Sequence, residues 1–391
     1  MKQDFPIFQH RPNLIYFDNG ATAQKPQCVL TAIQNFYKES NSNIHRGPHF
    51  LAEESTVLYN DARRTVADFI GAQNSDEIIF TRNATEAINL VARSYGELLN
   101  PGDVVVLSKL EHHANIIPWL QLKERIGIEL RYFNVTDDGF IKFDPNLIDE
   151  KVKLVSVTGM SNVLGTITDI KPIIQSAHDV GAKVLVDAAQ LAVHLPINVH
   201  ELDVDFLVFT GHKLYGPTGI GVLYGKKELL DLMPPFLGGG DMVNEVYTDR
   251  FTATDLPNKF EAGTPNIAGA VGLKAAIDYL IKIGFPKIHK IESELTDHLL
   301  DKLNSMPFIK IIGPTDDKNR GSIISFTMKG VHPHDIAEGL SQKNICIRAG
   351  QHCAQPLMDA CNLPATARIS MAFYNTVDEV DKTCEVLEEI Y

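Results

Sequence analysis

The chain has 391 residues, 44% of them hydrophobic and 22% charged, with a formal net charge of -13. That length exceeds what one hydrophobic core usually serves, so an ordinary globular protein of two domains is expected. The acidic balance argues against nucleic acid and anionic membrane as partners, since both repel an acidic surface unless a basic patch intervenes, and the sequence has no such patch.

The opening stretch, "MKQDFPIFQHRPNLIYFDNG", lacks the apolar core of a signal peptide, and runs such as "DVVVL" are too short to span a bilayer, so a cytoplasmic protein is expected. From residue 76 onward, short β-rich runs alternate with helical patterns. "DEIIFT" precedes "EAINLVARSYGELL", "DVVVLS" precedes a His-rich loop, "KLVSVTG" precedes "IKPIIQSAHDVG", and "KVLVDAAQ" and "DFLVFTGHK" continue the series. Continuous apolar strands separated by helices predict a mostly parallel sheet covered on both faces. After about residue 250 a long loop, "TDRFTATDLPNKFEAGTPN", leads into the helical "IAGAVGLKAAIDYLIKIG" and then into "GSIISFTM", "HDIAEGLSQKN", "ICIRAG", "ARISMAFY" and "DEVDKTCEVLEEIY". The expected organisation is a large α/β domain over 15–255 and a smaller α+β domain over 256–391. The N-terminal segment 1–14 belongs to the smaller domain, and the long helix joins the two.

In an open parallel sheet, ligands bind beyond the carboxyl ends of the strands, where helix N-termini offer unpaired N–H groups. The polar residues found there are Thr85 with Glu86, His112 and His113, Asn162, Asp187 and Gln190, then Thr210, His212 and Lys213 at a strand end. A lone lysine in such a place is usually a solvated residue. In this company, an amine whose pKa is lowered by desolvation can form a Schiff base with an aldehyde. Pyridoxal phosphate is the common aldehyde cofactor, and it requires a carboxylate at its ring nitrogen, a flat group on its ring and an anion cup for its phosphate. Asp187 suits the first, although it would serve equally as a helix cap. His112 suits the second, unless it is only a surface loop histidine. The helix start at Asn83, Ala84 and Thr85, completed by Thr210 and His212, suits the third, and N-capping alone would also explain Thr85.

The motifs "SNVLGT", "VDAAQ", "TGHKLYGPTGIG" and "FEAGTPN" together resemble the class V aminotransferase-like pyridoxal-phosphate enzymes, specifically the SufS-type (group II) cysteine desulfurases. The resemblance runs from "IYFDNGATAQKP" to "MAFYNT" and implies the pyridoxal-phosphate transferase fold, fold type I. It implies that Lys213 holds the cofactor, Asp187 its ring nitrogen and His112 its ring face. Asn162 would lie on the substrate carboxylate side, Gln190 at O3′, and Ala84, Thr85, Thr210 and His212 at the phosphate. Thr264 would reach the phosphate of a neighbouring subunit, which implies a homodimer with shared sites.

Five cysteines form no CxxC pair, which disfavours both a disulfide framework and a structural zinc site, and no metal site is expected. Cys28, Cys346, Cys361 and Cys384 read as small buried hydrophobes. Cys353 differs, because Arg348 and His352 are near in sequence and a cationic setting favours thiolate. By resemblance, the cysteine of "RAGQHCA" attacks the sulfur of a bound L-cysteine, Arg368 grips the substrate carboxylate with Arg348 beside it, and His112 shuttles a proton. His45 and Arg46 in "SNIHRGPHF" match a segment near the site entrance. The implied function is release of L-alanine with an enzyme persulfide passed to an acceptor protein for iron–sulfur cluster assembly. Selenocysteine lyase activity on the same core is the alternative. In "GVHPHDIAEGL", His334 is the candidate contact for a zinc-containing SufU-like acceptor, with a SufE-like acceptor as the other possibility. Nucleotide binding through "GPTGIG" fails because the lysine precedes the glycines, and a TxxK hydrolase lacks its SDN and KTG partners.

Overall fold

The computed structural model describes residues 1–45 and 47–391. Eight strands form one sheet in the order Ile78–Thr81, Gly221–Gly225, Phe206–Thr210, Lys183–Asp187, Val152–Thr158, Val104–Ser108, Glu129–Val135 and Ile141–Lys142. The pairings from Phe206–Thr210 through Glu129–Val135 are parallel, while Gly221–Gly225 runs against both its neighbours. Within the apolar runs, side chains alternate between two cores: Val106, Val155 and Val186 face one, and Leu107, Leu154 and Leu185 the other. A sheet covered on both faces needs such uninterrupted apolar strands.

A second, antiparallel sheet has the order Ile309–Ile312, Ile323–Met328, Thr366–Ser370 and Arg348–Gly350. Helices Phe285–Ser305, Pro333–Gln342 and Val377–Ile390 contribute Leu299, Leu340 and Leu387 to its core. The mixed architecture is a large, mostly parallel α/β layer with a smaller α+β unit. Helix Phe285–Ser305 and the strands Glu129–Val135 and Gly221–Gly225 are additions to the elements expected from the sequence.

The helix Ile267–Ile283 places Ala270, Leu273, Ile277 and Leu280 in the large core and packs on Phe50–Ile70 and Gln27–Asn35. Because this helix belongs to the large core, we propose a boundary between the two domains nearer Gly284 than the residue 255 expected from the sequence. The N-terminus behaves similarly: Phe5 and Phe8 pack in the large core, Lys2 ties the segment to Glu379 of helix Val377–Ile390, and Ile15–Tyr16 pairs with Ile345–Cys346 in the smaller unit. Among the described residues, no helix is long and apolar enough to cross a membrane.

Candidate active site

Lys213 lies beyond the strand end expected for it. Phe206–Thr210 and Gly221–Gly225 form an antiparallel hairpin with Thr210 opposite Gly221, and Lys213 sits in the turn between them. Gly211 N–H donates to the Ile220 carbonyl at 2.9 Å and closes the turn. A Cβ on Gly221 would stand 2.5 Å from the Asn83 backbone, so glycine lets the hairpin press against the start of helix Ala84–Ser94. That contact brings Thr210 and Lys213 beside a helix N-terminus whose first N–H groups have no partner in the helix.

The result is a cavity of about 240 Å³ at the carboxyl edge of the parallel strands. It is lined by Lys213, Asp187, His112, Gln190 and Arg368, and by the phosphate-cup residues Ala84, Thr85, Thr210 and His212, together with Asn162 and Arg348. Eleven residues singled out in the sequence thus converge on one space from five strand ends and a second sheet.

Burial dominates the electrostatics. It lowers the Lys213 amine to about 8, with Asp187 opposing the shift and Arg368 and Arg348 adding to it. Burial also raises the Asp187 carboxyl, against the Ala189 N–H that donates to it at 2.9 Å and the charge of Lys213. His112 is brought down to about 3 by burial and then by Lys213, so its ring is neutral. Its Nδ1 accepts from Ala114 N–H at 3.0 Å, which leaves the proton on Nε2. His212 is lowered to about 4 by burial, then by Lys213 and Lys25. These are the shifts expected where ionisable groups are gathered for chemistry.

The residues fit an aldehyde cofactor bearing a phosphate. Thr210 Oγ1 is buried with no hydrogen-bond partner, as is Arg368 Nε, and both belong to residues that line the cavity. Buried polar atoms are rarely left unpaired, so each marks a place for a bound group. The buried Asp187 carboxyl, the flat His112 ring and the helix N-terminus at Ala84 answer its three chemical demands, beside a lysine amine brought down to about 8.

Arg368 comes from the second sheet. Its Nη1 donates to the Asn162 carbonyl at 2.7 Å and its Nη2 to Asp18 at 3.0 Å. A Cβ on Gly20 would lie 3.3 Å from this guanidinium, so the glycine makes room for it, and the Gly20 carbonyl accepts from Gln190 Nε2 at 2.9 Å. Asp18 and Gly20 were not among the expected site residues. The signal for them was "FDNG", a polar turn directly after a short apolar run.

Glu111 also escaped the sequence reading. It is fully buried, its carboxyl pushed up to about 8 by burial, and it accepts from Ser108 Oγ and from Asn115 Nδ2. Asn115 in turn accepts from Trp119 Nε1 at 3.2 Å and Ser156 Oγ at 2.6 Å. This network anchors the loop that carries His112.

Cys353 reaches the site on the loop after Arg348–Gly350. Arg348 Nη2 lies 3.6 Å from its thiol, supplying the cationic neighbour expected from the sequence. His352 does not contribute in the same way: it is 2% exposed, turns its Nε2 toward Thr366 Oγ1 at 2.9 Å, and is lowered to about 3 by burial and the two arginines. A neutral imidazole facing away cannot favour a thiolate. His352 and Cys353 both have left-handed backbone, with φ of 54° and 56°.

Other expected residues lie elsewhere. His45 is exposed and outside the cavity lining, while Arg46 is outside the described residues. Thr264 is exposed and lines an adjacent groove of about 520 Å³ with Arg82, Glu86 and Asn266. His334 is exposed at the start of helix Pro333–Gln342. Cys384 is buried as expected, Cys346 and Cys361 are half-buried, and Cys28 is exposed. That last position corrects the sequence expectation: Cys28 falls on the solvent side of helix Gln27–Asn35, whose buried residue is Val29. Among the described residues, no group of three or more His, Cys, Asp or Glu is placed to hold a metal ion.

The family model for aminotransferase class-V matches residues 15–383. A probable cysteine desulfurase of Streptomyces coelicolor is 46% identical, covering 100% of this chain and 96% of its own. A cysteine desulfurase of Haloferax volcanii is 42% identical over 99% of this chain and 95% of its own. Among solved structures, the apo cysteine desulfurase of Thermococcus onnurineus superposes with a TM-score of 0.95 at 39% identity, covering 99% of this chain and 96% of that one. The Escherichia coli cysteine desulfurase CsdA gives 0.92 at 40% identity, covering 100% and 97%.

Proposed function

The chain belongs to the class V aminotransferase family, and from that premise we infer that it is a cysteine desulfurase, using pyridoxal phosphate to move the sulfur of L-cysteine onto Cys353 with release of L-alanine. The observation that carries this assignment is that Arg348, which lines the Lys213 cavity, also donates to the Cys353 thiol at 3.6 Å. A Schiff-base lysine and a sulfur nucleophile, brought by two different sheets, share one arginine.

When bound, pyridoxal phosphate supplies an electron sink that weakens the Cα–H and Cβ–S bonds of the amino acid. Lys213 would hold its aldehyde carbon, Asp187 its ring nitrogen, His112 its ring face and Gln190 its O3′. Ala84, Thr85, Thr210 and His212 would hold its phosphate. Thr264 stands outside its own cavity and exposed, as a residue serving a second copy in a homodimer would.

An amine brought to about 8 can take the substrate Cα proton and give it up again near neutral pH. Arg368 offers its unpaired Nε beside an Nη2 oriented by Asp18, the edge a carboxylate takes side-on, with Asn162 alongside. The Cys353 thiolate attacks the substrate sulfur. An S–S bond forms as Cβ–S breaks, the electron pair stays with the carbon skeleton, and protonation of that carbon gives alanine. His112 Nε2–H is the shuttle for that proton. Incubation with L-cysteine and a thiol reductant should release alanine and sulfide in equal amounts; pyruvate and ammonia in place of alanine would reject the assignment.

The persulfide passes to an acceptor protein for iron–sulfur cluster assembly. His332 and His334 are exposed, and His334 Nε2 lies 3.8 Å from the Cβ position of Gly350, at the end of the strand that leads to Cys353. Neutral imidazole is a good zinc ligand, so His334 suits a zinc-containing SufU-like acceptor, displacing a thiolate that then takes the sulfur. His334→Ala should leave sulfide release to small thiols unchanged and remove stimulation by that acceptor. Equal stimulation of both enzymes would favour a zinc-free SufE-like acceptor.

A further inference from the structure

We propose that His113 is a positioning residue for Cys353, holding the nucleophile loop against the large domain through a hydrogen bond that its Nε2 accepts. The proposal rests on the assignment of Cys353 as the sulfur carrier. Two bonds from His113 bracket that residue. The His113 backbone N–H donates to the Cys353 carbonyl at 2.7 Å, and the Gln355 N–H donates to His113 Nε2 at 3.0 Å. A third bond, from Asn162 Nδ2 to the His352 carbonyl at 2.8 Å, holds the preceding residue.

The loop needs such anchors. Left-handed φ at two successive non-glycine residues persists only where the surroundings over-determine it. His113 is also the residue after His112, whose ring lines the cavity, and both ride on the loop anchored by the Glu111 network. One short segment, Glu111 to His113, therefore sets the site histidine and the distance of the sulfur nucleophile from it. Within that segment, the imidazole of His113 has no place in the cavity lining, and its acceptor bond to Gln355 is its structural employment.

The bond has a donor that can be deleted separately. Gln355 is exposed and is the first residue of helix Gln355–Ala360, a position that tolerates proline, so Gln355→Pro removes the N–H while leaving His113 intact. His113→Met keeps bulk without the acceptor at that place, and His113→Gln restores an acceptor at similar reach.

The test uses the holoenzyme. In His113→Met and Gln355→Pro, single-turnover persulfide formation on Cys353 should fall about threefold to tenfold, the range of one hydrogen bond, with KM for L-cysteine unchanged. Hydrogen exchange in the 353–358 backbone should quicken by a similar factor, while strand Val104–Ser108 stays protected. His113→Gln should restore both. Parental exchange and parental rate in His113→Met would overturn the proposal, as would a His113→Gln enzyme as impaired as His113→Met, which would assign the role to the ring itself. If the parent enzyme forms no persulfide on Cys353, the desulfurase assignment fails instead, and the exchange data still judge the clamp.

Discussion

At the edge of the large sheet, Asp187, Gln190 and Thr210 are 5%, 4% and 3% exposed, fixed where strands end in a dense core. Cys353, by contrast, is half-buried on a loop with two left-handed residues, each costing roughly 1–3 kcal/mol, and is held by bonds to its backbone neighbours. The contrast follows the division of labour. Holding a cofactor rewards rigid burial, which lowers the Lys213 amine toward its reactive neutral form, whereas passing sulfur outward requires a thiol that meets first the substrate and then a partner.

The largest effect should come from breaking the rigid side. On the proposed assignment, Lys213→Ala removes both the point of cofactor attachment and the base, so alanine formation should fall by ~10⁴-fold and the purified protein should lose its yellow colour. Retained colour that borohydride bleaches would show another lysine in the role. Cys353→Ala should separate the two regions: colour and spectral response to L-cysteine persist, and the persulfide disappears.

The place of Lys213 in the cavity was legible in the sequence because local pattern carries it. Apolar β-branched runs marked the parallel strands, and the polar residues after them, Asp187, Thr210 and Lys213, fell in the cavity. The partners that orient Arg368 were not legible. Asp18 and Arg368 are 350 positions apart, and His113 and Gln355 are 242 apart, so only the tertiary fold brings them together. His352 was misjudged for a related reason: adjacency to Cys353 says nothing of side-chain direction once φ turns positive. Helix Phe285–Ser305 did have a local signal, with Ile288, Leu295, Leu299 and Leu303 buried at helical spacing among charged residues.

Two smaller effects sharpen the comparison. Arg368→Lys keeps the charge but loses the side-on edge set by Asp18 and Asn162, and KM for L-cysteine should rise ~10-fold to 100-fold with colour unchanged. An unchanged KM would move the carboxylate site elsewhere. The last concerns pH. Only the neutral amine can capture the cofactor, and burial lowers Lys213 to about 8. The rate of cofactor uptake by the apoprotein, followed by absorbance, should therefore climb as pH rises toward about 8 and then level off. A rate still climbing toward ~10.4 would mean an ordinary solvated lysine.

The most direct test of the two-region account is the location of the transferred sulfur. After brief reaction with L-cysteine and trapping of thiols by alkylation, peptide mass spectrometry should find one added sulfur on the peptide containing Cys353. Cys28, Cys346, Cys361 and Cys384 should carry none. Sulfur on the exposed Cys28, or alanine production with no sulfur on any cysteine, would contradict the account.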